Sequence, residues 1–368
     1  MREGWTYKKL NEVCDKGSSN IVINKLEDNN GDYPLYGASG LVKNVDFYHQ
    51  DKPYIGIVKD GAGVGRVNTY PAYSSLVGTM QYIFAKEDCL LDYIKYFLVK
   101  LDLSHCVSGA TIPHIYFKDY GKERIPVPSL SEQQSIVAEL DKINELISLK
   151  KAQLSDLDSL AQSIFYDMFG DPIVNEKGWE VKKLGDECVD MKYGTSRPAS
   201  ENGRYKYLRM GNITSDGHLD LLDLKYIDIP DEEVEKCIVR HGDILFNRTN
   251  SYELIGKTCM FDLLEPMIIA GYIIRVRLSN NLHPRYVSIM FNLPSFKKLL
   301  RSKAKGAVNQ ANINSKELAS IRIPLPPLSL QQEFAKRIEL IEQQKTQISS
   351  TIKDLETLLA SRMQYWFD

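Results

Sequence analysis

From residue 136 the chain spaces its apolar positions by alternating steps of four and three. They are Ile136, Leu140, Ile143, Ile147, Leu154, Leu157, Ala161, Ile164 and Met168, with Lys150 in the one charged slot. The same steps return 198 residues later at Phe334, Ile338, Ile341, Ile348, Ile352, Leu355, Leu359 and Trp366, with Lys345 and Arg362 in charged slots. A 3.5-residue period predicts two long helices, each with a narrow seam that one partner helix would fill. The natural partner is the other copy, packed antiparallel as a coiled coil. The three cations either lay their stems along the seam edge or hold its register against slipped pairings.

Each helical stretch follows the same segment, RIPVPSLSEQQ at 124–134 and RIPLPPLSLQQ at 322–332. Pro128 and Pro326 cannot continue a helix backwards and so fix its start. Ser131 with Gln134, and Ser329 with Gln332, fit the capping-box spacing. A second duplication matches WTYKKLNEVC (5–14) to WEVKKLGDEC (179–188). The chain therefore reads as two related bodies in tandem, residues 1–127 and 171–326, each followed by a helix, 128–170 and 327–368. Two copies at such a long period are not a solenoid. Short strand-like runs such as YIGIVKD, MQYIF, DILFN and GYIIRVRL alternate with Gly, Asn and Asp turns. Helices are expected at 90–101 and 284–303, so the fold class is mixed α/β.

With 368 residues and 43% hydrophobic positions the chain can build more than one core. The net charge of −2 is unevenly spread. The two helical segments hold 8 basic against 13 acidic side chains, and the two bodies 38 against 35. That balance permits nucleic-acid binding without demonstrating it. No apolar run is long enough to span a membrane, and the N-terminus lacks the apolar core of a signal peptide. Six scattered cysteines without C-x-x-C spacing are expected as reduced thiols of a cytoplasmic protein. Each helix of about 39 residues would extend roughly 58 Å, a rod able to set the distance between two similar surfaces on DNA.

The paired I-P-x-P-x-L-S-x-Q-Q segments, each ahead of a heptad helix, resemble the specificity subunit of Type I restriction–modification systems. YPLYGASGLVKNVDFY (33–48) with PYIGIVKDGAGVGRV (53–67) is similar to one form of that family's target-recognition domain. YKYLRMGNITSDGHLDLLDLKYID (205–228) with GDILFNRTNSYELIGKTC (242–259) is similar to another. The resemblance covers essentially the whole chain. It implies a non-catalytic subunit whose two bodies each read one half of an asymmetric duplex DNA site. The helices would set the unread gap and dock two methyltransferase subunits, with motor/nuclease subunits joining for restriction. S-adenosylmethionine would sit on the methyltransferase partner, leaving no cofactor in this chain.

Base edges are read by Arg or Lys on guanine and by Asn or Gln on adenine. In the first body the candidates are Lys59, Arg66, Asn68 and Tyr70 around a Gly-rich turn, with Tyr36, Ser39, Thr79 and Gln81 beside them. Thr111 and His114 lie in GATIPHI, which aligns with GAVNQANI (306–313) of the second body. There the candidates are Asn247, Arg248, Asn250 and Tyr252 in one loop, Asn309, Gln310 and Asn312 in another, and Arg197, Arg204 and Arg209. Lys297, Lys298, Arg301, Lys303 and Lys305 form a run without an acid, suited to phosphates or simply a solvated helix face. Asn-rich turns also satisfy themselves, and glycines serve tight hairpins as readily as ligands.

Enzymatic motifs are missing. IGKTC (255–259) has Ser251 where a phosphate loop needs glycine. The Gly-rich DGAGVG is not followed by lysine and Ser or Thr. No N-P-P-Y or D-P-P-Y segment is present, and the six histidines form no H-x-x-x-H pair, so no metal site is indicated. A fused modification enzyme is thereby disfavoured. The remaining alternative is a non-enzymatic coiled-coil scaffold binding protein partners.

Overall fold

The computed structural model describes residues 4–109, 111–307 and 310–368, with the side chains of Ala307 and Gln310 left aside. The chain divides into two compact units, Met1–Ala152 with Ser349–Asp368, and Gln153–Ile348. The division falls inside both long helices, Leu130–Phe169 and Leu328–Phe367, each of 40 residues.

The duplicated segments turn out to be each other's partners. Thr6–Lys9 pairs antiparallel with Arg124–Val127, and Glu180–Lys183 with Arg322–Leu325. The register is the same in both ribbons, with Lys9 opposite Arg124 and Lys183 opposite Arg322. Pro126 and Pro324 lack an N–H, which a two-stranded ribbon tolerates. Their neighbours Ile125 and Ile323 are fully buried. Each ribbon thus joins the start of a body to its end and delivers the chain into a long helix.

In the first unit a four-stranded antiparallel sheet runs Cys14–Ser18, Met80–Ala85, Tyr54–Val58, Val67–Tyr70. A second sheet orders Gly40–Val45, Tyr33–Gly37 and Ser75–Leu76. Helix Leu91–Leu101 buries Tyr93, Ile94, Tyr96, Phe97 and Leu98. The second unit repeats the plan with Cys188–Tyr193, Ile273–Leu278, Ile244–Asn247 and Thr258–Met260 in its first sheet. Its second sheet has four strands, Lys225–Ile227, Tyr205–Leu208, Met267–Ile269 and Ile238–Val239. Helices Pro284–Asn292 and Pro294–Lys303 follow, broken at Leu293–Pro294. The hairpin Lys305–Ala307 with Gln310–Asn312 adds Thr249–Asn250 as a third strand.

The helix starts differ from the expected capping boxes. Both helices begin at the leucine one residue before the proposed serine caps. Ser129 caps the first, accepting from Glu132 N at 3.3 Å while the Glu132 carboxylate accepts from Ser129 N at 3.1 Å. In the second copy Pro327 stands at that place and brings no side-chain cap. Of the paired glutamines the first, not the second, does the bonding. Gln133 is fully buried; it donates to Asp88 O and Pro128 O at 2.9 and 3.0 Å and accepts from Leu90 N at 2.9 Å. Gln331 repeats this on Asn281 O, Pro326 O and His283 N at 3.0, 2.8 and 2.8 Å. A glutamine amide matches one N–H and two carbonyls left over where strand turns into helix, which explains its place in both copies.

Of the seam positions, Ile136, Leu140, Ile143, Ile147, Leu157, Phe334, Ile338, Ile341, Ile348 and Ile352 are buried. Leu154, Ile164, Leu355 and Leu359 are half-buried. In the first unit Arg362 of the second helix pairs with Glu139 of the first, which also accepts from Trp366 Nε1 at 3.0 Å. Lys151 meets Glu356 at 2.9 Å. In the second unit Lys345 meets Asp158 at 2.7 Å, and the rings of Phe165 and Phe334 lie 5.5 Å apart. In each unit the residue number rises along one helix as it falls along the other, so the two run antiparallel. Lys345 and Arg362 therefore tie helix to helix rather than trailing into solvent.

Candidate nucleic-acid interface

In the first unit the glycine-rich turn gathers the flagged segments. Lys59 N donates to Thr79 O at 3.0 Å, Gly61 N to Pro113 O at 2.9 Å, and Ile115 N to Lys59 O at 2.9 Å. His114 bridges to both Asp60 and Ser108. Lys59, Thr79, Thr111 and His114 thus belong to one loop cluster, with Thr79 and Thr111 exposed. Arg66 is exposed and donates to Ala38 O at 2.7 Å, which ties it to the segment holding Tyr36 and Ser39. Gly63 has φ +86°, and a Cβ there would stand 3.0 Å from the Arg66 guanidinium, so glycine is what lets the arginine fold over the turn. Asn68 is exposed.

Two flagged side chains of this unit are spent inside the fold. Gln81 is buried and accepts from the Tyr120 hydroxyl at 2.7 Å. Tyr70 is buried between Tyr36 and Tyr54, at ring distances of 4.7 and 5.8 Å, and burial raises its hydroxyl pKa. Neither presents a polar edge to a duplex.

In the second unit four of the flagged cations converge on an open cleft of about 930 Å³. Arg197, Arg209, Arg248, Lys305, Asn312 and Tyr272 line it. Most of its positive charge is already answered. Arg197 is held by Glu233 at 2.7 Å, Arg209 by Asp223 at 2.7 Å and Lys305 by Glu317 at 2.6 Å. Outside the cleft, Arg204 pairs with Asp231 at 2.7 Å. Such exposed pairs are weak, so a phosphate could displace the carboxylate and take the cation. Tyr272, 56% exposed, was not flagged from sequence. Its only signal is an aromatic directly after Gly271 at the mouth of a strand.

Other flagged residues of this unit serve the loops themselves. Asn247 is fully buried, its amide nitrogen donating to Thr249 O and Tyr272 O at 3.1 and 3.2 Å, so it anchors the loop rather than reading bases. Asn250 accepts from Ser251 N at 2.9 Å, while Tyr252 is exposed. Lys297 and Arg301 turn inward, donating to Gly256 O at 2.8 Å and Glu253 O at 3.0 Å. They hold the 253–257 loop from behind instead of gripping phosphates. Burial, with Arg301 and Lys257 near by, lowers the Lys297 pKa to about 7. Lys298 and Lys303 stay exposed and without an ion partner among the described residues. Asn309 lies outside the described residues, as does the Gln310 side chain. No group of three or more His, Cys, Asp or Glu that could hold a metal occurs among the described residues. No helix there is long and apolar enough to cross a membrane.

The family model described as "Type I restriction modification DNA specificity domain" matches residues 2–158 and again 176–357. The chain is similar to the Type I restriction enzyme EcoKI specificity subunit of Escherichia coli (strain K12), with 26% identity over 264 residues, 67% of this chain and 56% of that protein. It is also similar to the Type I restriction enzyme MjaVIII specificity subunit of Methanocaldococcus jannaschii, with 27% identity over 315 residues, 77% of this chain and 73% of that protein. The match therefore takes in little more than half the length of the Escherichia coli relative. Among solved structures, the S subunit of a Type-I restriction-modification system from M. genitalium aligns over 99% of this chain and 96% of its own, with TM-score 0.57 at 15% identity. That likeness speaks for the fold.

Proposed function

This chain belongs to the family of Type I restriction modification DNA specificity domains, and from that premise we propose that it is the sequence-reading subunit of a DNA-modifying complex. Each body reads one half of a bipartite, asymmetric duplex site. The long helices set the unread gap and dock two methyltransferase subunits, which carry S-adenosylmethionine. Motor/nuclease subunits join the same assembly for restriction. The chain contributes recognition and no bond-making step, and it works in the cytoplasm.

One observation carries this reading. The same closure, a ribbon, a buried glutamine and a long helix, is built twice around bodies whose exposed loops differ. A repeated frame with unlike loops suits two readers of unlike half-sites. Phosphate contacts from Lys298, Lys303 and Arg66 would position the duplex, while groups in the cleft and the glycine-turn cluster would meet base edges.

The test is to co-express the chain with its neighbouring methyltransferase and map modified adenines by direct sequencing. The expected result is one motif of two defined parts around a fixed run of unread bases. A complex that modifies no defined sequence, or a single continuous motif, would overturn the proposal.

A further inference from the structure

We propose that Arg248 is the residue through which the second body reads a guanine, and that Asn312 is its positioning residue. This deepens the reading above and rests on it. Four cations line the cleft, and three of them are paired with a carboxylate. Among the described residues Arg248 is the one lining cation with no acidic partner.

It is nonetheless held firmly. Its guanidinium lies over the Tyr193 ring, 4.8 Å from the centroid. That ring is fixed in turn, its hydroxyl 2.9 Å from Ser315 Oγ and accepting from Ser315 N at 2.7 Å. Arg248 Nε donates to Asn312 Oδ1 at 3.2 Å, and Thr249 Oγ1 donates to the same oxygen at 3.3 Å. The backbone is pinned on both sides, Arg248 N to Tyr272 O and Ile313 N to Arg248 O, each at 2.9 Å. One face and one edge of the guanidinium are thus engaged by the protein. Its two terminal nitrogens have no partner among the described residues.

Two parallel donors on a pre-oriented plane are what guanine O6 and N7 accept. A phosphate accepts the same fork, so guanine and phosphate are told apart by the salt series and the matched and mismatched duplexes below. Fixing a long side chain beforehand reduces the entropy lost on binding and sharpens selection. Asn312 has its oxygen committed to Arg248 and Thr249, so it orients the reader and cannot offer adenine the paired acceptor and donor that an asparagine uses to read it.

The experiment uses the full chain in its methyltransferase complex, with modification mapped and duplex binding measured across a salt series. The wild type should show a guanine in one half-site. Arg248→Ala should make that single position degenerate, lowering discrimination roughly 5- to 150-fold, and leave the other half-site unaltered. Arg248→Lys keeps the charge and loses the fork; it should bind nearly as well and discriminate as poorly as the alanine variant. Asn312→Ala should weaken discrimination without changing the preferred base. Thermal melting checks folding, and if the alanine variant misfolds the lysine variant carries the test. A selective wild type whose guanine survives in Arg248→Lys and Arg248→Ala overturns this proposal alone. So does equal loss on matched and mismatched duplexes with a shallower salt dependence, the mark of a phosphate contact. A wild-type complex that selects no sequence overturns the reading beneath it as well.

Discussion

At the same place in their four-stranded sheets the two units bury different chemistry. In the first unit Tyr82 sits opposite Gly56, and its hydroxyl accepts from Leu76 N at 2.8 Å. In the second unit Arg275 sits opposite Leu245, fully buried, and donates to both Asp190 oxygens at 3.0 and 3.1 Å and to Ile238 O at 2.5 Å. Strand pairing is alike in both, so the backbone does not demand either side chain. An aromatic ring fills its site by packing and needs one hydrogen bond. A guanidinium needs nearly all its donors met, which ties the sheet to the 235–238 segment. The frame is shared, and what each body builds on it is free to differ.

The comparison can be broken first at that arginine. Asp190→Ala leaves a buried cation without its partner and should cost about 3–5 kcal/mol, read by chemical denaturation. Replacing Arg275 and Asp190 together by apolar residues should recover most of that loss. If the single variant were neutral, the ion pair would not be what holds the second sheet.

The shared closure should respond alike in both copies. Gln133→Leu and Gln331→Leu each strand one N–H and two carbonyls and should destabilise their own unit by about 3 kcal/mol. Unequal losses would mean that the matched geometry hides unequal frames. A smaller, again paired effect is expected from the tyrosines, since Tyr93 and Tyr286 donate to Pro126 O and Pro324 O at 2.9 and 3.1 Å. Tyr93→Phe and Tyr286→Phe should each cost about 1 kcal/mol.

A pH-dependent effect is confined to the second unit. Hydrogen bonding from Asp216, then from Glu342, raises the His218 pKa to about 9, against burial and the Lys345 charge. A raised folded pKa gives stability that is complete below about 6.5 and is lost as pH climbs through 9. Melting temperature of the second unit should therefore drift down across that window. His218→Ala should flatten the drift, and a drift that persists in the variant would assign it elsewhere.

Much of the fold was legible in residue order. Heptad spacing and two prolines pointed to both long helices, and two duplicated segments to the repeat. Those are local signals, because a 3.5-residue period or a missing N–H acts on its immediate neighbours. The candidate site was legible only as a set of residue types. Gln81 and Asn247 looked like readers, and Lys297 and Arg301 like phosphate grips, because their chemistry suits DNA, but each is taken up by a carbonyl or a hydroxyl of its own unit. Within the strand-like run GYIIRVRL, Arg275 is fully buried and Arg277 is claimed by Asp243. The sequence by itself determined the duplication and the presence of the two long helices, though not their first residues. Tertiary structure alone decided which cation stays unclaimed, because pairing and burial depend on groups that only folding brings within a few ångströms.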